Sequence, residues 1–147
     1  MDDPLATLDA FLPETREWFL SQYAEPTPPQ ALGWPAILRG DNVLILSPTG
    51  SGKTMAAFLC AIDRIFRGLL EDPDLPGVQT LYISPLKALN NDIERNLRTP
   101  LAGIRRVAAG RDEEWPRLRT AVRTGDTPQS ARRSMVTHPP HVLITTP

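Results

Sequence analysis

The 147-residue sequence has a single cysteine, Cys60, so no disulfide can close within the chain, which fits a reducing compartment. No apolar run approaches the roughly 20 residues that a membrane-spanning helix needs. The opening residues, Met1-Asp2-Asp3-Pro4, are acidic and lack the basic-then-apolar order of a secretory leader. Neither charge is in excess: 16 Lys and Arg stand against 17 Asp and Glu, a formal net charge of −1. A surface for nucleic acid must then be a local patch rather than a global field. Internal repeats and low-complexity tracts are missing as well. These absences predict a soluble, cytoplasmic chain of single-domain length with no membrane contact.

What is present centres on Ser47-Pro48-Thr49-Gly50-Ser51-Gly52-Lys53-Thr54. This stretch follows the apolar run Val43-Leu44-Ile45-Leu46 and opens an amphipathic segment over residues 55–70. Strand, glycine-rich turn, then helix is the context a phosphate-binding loop requires. In such a loop backbone N–H groups converge, and the helix N-terminus adds a partial positive charge. Gly50 and Gly52 permit conformations and close approaches that a Cβ obstructs. Lys53 is assigned to the β- and γ-phosphates and the Thr54 hydroxyl to Mg²⁺, with Thr49, Gly50, Ser51 and Gly52 completing the cradle. Ser47 stands where the strict pattern has its first glycine. The chain is expected to bind a nucleoside triphosphate.

The 16 prolines are dispersed, and Pro28, Pro48, Pro85 and Pro128 stand at predicted element starts, as suits a βα-rich domain. A helix is predicted over residues 13–23. Thr27 as N-cap, Pro28 at the first position and Gln30 completing a capping box begin a second helix. It is expected to break or kink at Trp34-Pro35 and resume through Leu38. A strand follows over residues 42–47. Beyond the glycine loop, Met55, Phe58, Leu59, Ile62, Ile65, Phe66 and Leu69 recur at spacings of three and four, a helical stripe suited to packing on a sheet. Cys60 falls on that stripe, as a small buried hydrophobe rather than a reactive thiol. Then come a strand over 78–83, a helix over 86–99, a weaker helix over 101–109 and a charged loop over 111–117. A strand over 120–123, a helix reaching Thr137 and a strand over 141–145 complete the chain. Strands alternating with helices predict a parallel α/β sheet. Sites in such sheets gather at the carboxyl ends of the strands, where Ser47, Ser84, Thr124 and Thr145 stand.

Five blocks, taken in order, resemble the first RecA-like domain of superfamily 2 DEAD/DEAH-type helicases, most of all the large-helicase-related (Lhr) branch. They are Pro26-Thr27-Pro28-Pro29-Gln30 with Gly33-Trp34-Pro35-Ala36-Ile37, then the glycine loop, then Tyr82-Ile83-Ser84-Pro85-Leu86-Lys87-Ala88-Leu89-Asn90-Asn91-Asp92. Arg123-Thr124-Gly125-Asp126-Thr127 and Ile144-Thr145-Thr146-Pro147 are the last two. The resemblance covers residues 11–147 and implies a RecA-like P-loop NTPase fold. It implies a helical lead-in over residues 1–25 and a partial ATP-binding domain over 26–147. ATP and Mg²⁺ are the implied cofactors, with Lys53 and Thr54 as the catalytic pair. Gln30 is implied to read the adenine edge, since its amide offers one donor face and one acceptor face. Phe11 or Phe19 is the candidate to stack on the base. Pro85, Leu86 and Lys87, then Thr124, Gly125 and Asp126, then Thr145, Thr146 and Pro147 are implied to grip a nucleic-acid backbone through hydroxyls and N–H groups. Single-stranded DNA or a DNA/RNA hybrid is favoured over pure RNA, and a second RecA domain of the same parent chain is the implied partner. Arg132 and Arg133 read first as a solvated helix face and second as an addition to that grip. Trp34 and Trp115 read as packing residues.

Hydrolysis in this superfamily also needs a strand ending in Asp-Glu. Asp112-Glu113-Glu114 is preceded by Gly110-Arg111 instead of an apolar strand and lies on the wrong side of the Thr-Thr-Pro block, so it does not qualify. The domain is therefore expected to be incomplete, ending before its Mg²⁺-binding acidic strand. It is expected to be inactive alone, with part of its apolar face uncovered and a tendency to aggregate. Two alternatives share parts of this pattern. A non-catalytic remnant would carry the same motifs. A P-loop kinase or transport ATPase would need an acceptor site or transporter signature that is not found.

Overall fold

Proline placement sets the first elements. Pro13 opens α1 (Pro13–Gln22) and Pro28 opens α2 (Pro28–Arg39), each where a missing N–H costs nothing. A 3₁₀ helix, Pro4–Ala10, precedes them, with the Leu5 N–H donating to Asp3 Oδ1 at 2.9 Å. Gly40, at φ +89°, ends α2 in the left-handed conformation that glycine adopts freely. The computed structural model describes residues 3–85 and 87–147, with side chains for all but Lys87, Ala88, Leu89 and Asn91. The remaining elements are α3 (Lys53–Glu71), β1 (Thr80–Ile83), α4 (Lys87–Ala109), β2 (Thr120–Arg123), α5 (Gln129–Thr137) and β3 (Val142–Thr145). Among the described residues no helix is long and apolar enough to cross a membrane.

The chain forms two compact units, Met1–Arg64 with Gly103–Glu114, and Ile65–Ala102 with Trp115–Pro147. The first is built around a buried aromatic cluster. Phe11 and Phe19 stand edge-on to Trp34 at 5.0 and 5.4 Å between centroids, and the Trp34 Nε1–H donates to the Ala56 carbonyl at 3.0 Å. That anchoring explains why α2 runs through Pro35 without the predicted break: burying Trp34 offsets the backbone bond that proline removes. Buried Asp63 of α3 accepts from the Leu12 N–H at 2.8 Å, so the entry to α1 is tied to α3. At Gly103 an added Cβ would lie 2.0 Å from Trp18 Nε1, so α4 and α1 meet where only hydrogen fits. Arg111 spans Glu14, at 2.7 Å, and Glu17.

Residues 42–47 depart from the sequence expectation. They form no strand ladder, and Leu44 and Leu46 are 82% and 84% exposed. A strand exists only by pairing its N–H and C=O groups with a neighbour, and none lies beside this run among the described residues. Ile45 turns partly inward, to where a Gly33 side chain would be.

The second unit holds a three-stranded parallel sheet in the order β1-β3-β2. The register pairs Tyr82 and Val122 with Ile144, and Ile83 and Arg123 with Thr145. Central β3 buries Val142 and Ile144 completely, as a strand with two neighbours does. Its entry is organised by buried His141. The Gln79 and Thr80 N–H groups donate to its carbonyl at 2.9 and 3.0 Å, and the Arg119 N–H donates to its Nδ1 at 3.0 Å. Burial, and then the neighbouring Arg119 charge, hold the His141 imidazole below its ordinary pKa. The predicted helices 86–99 and 101–109 are one helix, α4, running through Pro100. Ile93, Leu97, Ile104 and Ala108 continue one buried stripe across the proline. At about 1.5–3 kcal/mol per large apolar side chain, that stripe outweighs the roughly 3 kcal/mol proline penalty.

Candidate functional site

In the first unit the glycine loop hands directly to α3, a 19-residue helix that begins at Lys53. Gly50 and Gly52 have φ of +82° and +85°, which other residues rarely adopt. At Gly50 an added Cβ would meet open space, whereas at Gly52 it would lie 2.6 Å from Gln30 Nε2. Gly52 is thus obligatory on two counts, conformation and contact. The loop is braced from α2: the Thr27 hydroxyl donates to the Ser51 carbonyl at 2.8 Å, and Gln30 Nε2 donates to the Gly52 carbonyl at 3.3 Å. Within the loop the Ser47 and Ser51 hydroxyls meet at 2.5 Å. The Lys53 ammonium folds back onto the Ser47 carbonyl and, at 2.7 Å, the Pro48 carbonyl. Thr54 is exposed one residue into α3.

These groups fit a polyphosphate. The loop offers glycines without side-chain bulk, a helix N-terminus and an ammonium borrowed by two carbonyls. Among the described residues no group of three or more His, Cys, Asp or Glu is placed to hold a metal ion. A Mg²⁺ here would rest on the Thr54 hydroxyl, phosphate oxygens and water, a donor set that the ion accepts.

Gln30 is 5% exposed and already employed at both ends, because its Oε1 also accepts from the Thr27 N–H at 3.0 Å. Each end of an amide can make two hydrogen bonds, so one N–H and one lone pair remain. Phe11 and Phe19 are both buried in the Trp34 cluster, which leaves neither ring face for a base. The same cluster leaves Tyr23 45% exposed just after α1, backed by Phe19 at 4.9 Å.

In the second unit parallel register aligns the strand ends, so Ser84, Thr124 and Thr145 share one edge as expected, whereas Ser47, also expected there, follows a run that forms no strand and belongs to the first unit. Buried Ser84 donates its N–H to the Thr145 carbonyl at 2.9 Å, and the Thr145 hydroxyl donates to the Arg123 carbonyl at 2.7 Å. Pro85 and Pro147 are exposed there and Thr146 is half-buried. Leu86 and the Lys87 side chain, also expected at this edge, lie outside the described residues. Thr124 to Thr127 form a closed turn: the Thr124 N–H donates to the Thr127 hydroxyl at 2.8 Å, and the Thr127 N–H to the Thr124 carbonyl at 3.2 Å. Sequence reasoning gave Arg132 first to solvent, yet its guanidinium is tied to this turn, while Arg133 is exposed. A long flexible side chain carries no sequence signal for such a tie.

Residues 27–147 match the model of the DEAD/DEAH box helicase family. The chain is 54% identical over 145 residues to the Lhr helicase/probable uracil glycosylase of Mycolicibacterium smegmatis, which covers 99% of this chain and 9% of that protein. It is 46% identical over 150 residues to the Lhr helicase/uracil glycosylase of Escherichia coli, covering 99% of this chain and 10% of that one. The solved structure of Mycobacterium smegmatis helicase Lhr bound to ssDNA and AMP-PNP superimposes with a TM-score of 0.87 at 54% identity, over 95% of this chain and 17% of that chain. The chain thus spans about a tenth of the length of these two curated relatives.

Proposed function

This chain belongs to the DEAD/DEAH box helicase family, and from that premise we propose that it supplies the ATP cradle and part of the strand track of an ATP-dependent helicase or translocase. The observation that carries the reading is the glycine loop, two positive-φ glycines at the head of a 19-residue helix with Lys53 turned back across them. Its likeness to a helicase described as bound to ssDNA and AMP-PNP supports this over another P-loop enzyme, and favours single-stranded DNA.

When bound, ATP with Mg²⁺ supplies the phosphoanhydride bond whose cleavage drives the cycle. Lys53 would exchange its two carbonyls for phosphate oxygens, and the Thr54 hydroxyl would help hold the cation. The backbone N–H groups of Thr49, Gly50 and Gly52 would face the phosphates, with that of Ser51 joining them on leaving the Pro48 carbonyl. Gln30 keeps the loop braced and spends its remaining N–H and lone pair on the adenine edge, with Tyr23 offering its face to the ring. At the strand ends, Pro85, Leu86 and Lys87, Thr124, Gly125 and Asp126, and Thr145, Thr146 and Pro147 hold a nucleic-acid backbone without reading its bases. A second RecA-like domain in the same polypeptide would close over the triphosphate. Among the described residues no strand ends in Asp-Glu, so this stretch alone is expected to bind without turnover.

Titration with a fluorescent ATP analogue tests the cradle. Lys53→Ala is expected to weaken binding about 10- to 100-fold, the worth of charge-assisted hydrogen bonds to phosphate. Unchanged affinity in that variant would remove the assignment.

A further inference from the structure

The 124–127 turn is held by a side chain that belongs to the next helix. Arg132 Nε donates to the Thr127 carbonyl at 2.9 Å, and its terminal Nη2 donates to the Thr124 and Gly125 carbonyls at 3.1 and 2.7 Å. Three carbonyls of one turn therefore point at one guanidinium. The N–H groups divide differently. Thr124 gives its own to the Thr127 hydroxyl, Asp126 to the Thr124 hydroxyl at 3.3 Å, and Thr127 to the Thr124 carbonyl. The fourth N–H belongs to exposed Gly125.

We propose that Arg132 is a positioning residue for nucleic-acid phosphate. It gathers the negative ends of the turn's peptide dipoles and so holds rigid the turn whose Gly125 N–H and Thr124 hydroxyl would meet a phosphate oxygen. Only a guanidinium does this, because its planar fork aims several N–H donors at fixed angles, whereas an ammonium on a flexible stem serves as a point charge. The free turn would otherwise present carbonyls and N–H groups alike to an anion, and a carbonyl oxygen repels phosphate. Helix α5 is short, spans residues 129–137 and buries none of them, so Arg132 on its first turn acts locally rather than as part of the core. The inference rests on the reading of this edge as a strand grip.

The test is fluorescence anisotropy of the full chain with a fluorescein-labelled oligo(dT) of about 20 nucleotides across a NaCl series, for wild type, Arg132→Lys and Arg132→Met. Amide hydrogen exchange at residues 124–127 is read in parallel without nucleic acid. Both variants are expected to bind about tenfold more weakly, the scale of one misplaced charge-assisted contact. The salt slope is expected to stay at the wild-type value, and exchange is expected to quicken at 124–127. A lysine variant that binds like wild type, with the methionine variant losing about 0.7 of salt slope, would make Arg132 a direct phosphate contact and overturn the proposal. Unchanged exchange in both variants would overturn it too. Should Arg132→Met lose helical signal, Arg132→Lys, which keeps stem and charge, carries the test. Failure of the wild type to bind the oligonucleotide, with quickened exchange in the variants, would instead remove the strand-grip reading and leave only the turn clamp.

Discussion

Val43-Leu44-Ile45-Leu46 and Val142-Leu143-Ile144-Thr145 differ in one residue type across four positions, yet they live different lives. The second is the central strand of the sheet, with Val142 and Ile144 wholly buried between two parallel neighbours. The first makes no ladder, and two of its leucines face solvent. Three of the four residues are the same, so the difference lies in what stands alongside. Strand propensity is a measure of fit to a half-buried pleated surface, and without the surface it expresses nothing.

The comparison breaks most visibly at Ile144. Ile144→Ala is expected to cost about 2–5 kcal/mol, through lost burial and the cavity left in the sheet's central strand. Urea unfolding would show it as a lower midpoint, and a shift too small to resolve would mean β3 is not the core strand. A smaller effect comes from acid. The folded state holds His141 below its ordinary pKa of 6.5, so it favours the neutral ring. The stabilisation is fully present above pH 6.5 and is lost as pH falls through 6.5 toward the folded value. His141→Asn, which keeps an acceptor for the Arg119 N–H, is expected to flatten thermal stability between pH 7 and 5. A variant that melts with the wild-type pH profile would assign that dependence elsewhere. The smallest effect belongs to the unpaired run. Leu44→Ser with Leu46→Ser is expected to stay within about 0.5 kcal/mol of wild type. Sedimentation is expected to show less self-association, because the substitutions remove exposed apolar surface. A large loss of stability there would mean the run is paired after all.

Local chemistry was legible wherever it is self-contained. Pro13 and Pro28 at helix starts, the Thr120–Arg123 strand and the alignment of Ser84, Thr124 and Thr145 follow from neighbours in sequence and the parallel rule. What escaped depends on partners far along the chain. Among the described residues no strand pairs with 42–47, Pro100 is carried by burial on both sides, and Phe11 and Phe19 close around Trp34. At the candidate site Gln30 was legible as a helix cap. Its grip on the Gly52 carbonyl, 22 residues away, was not. Arg132 escaped for the same reason, since nothing in its local pattern says which carbonyls a guanidinium will meet.

The burial of Cys60 has a practical use. Desolvation, and then the charge of Asp63, push its thiol up to about 12, so the reactive thiolate is scarce at neutral pH. Little reaction with maleimides is therefore expected in the folded chain. A single cysteine placed at exposed Ser130 or Thr137 would give a fluorophore a site on α5 without first redesigning the core.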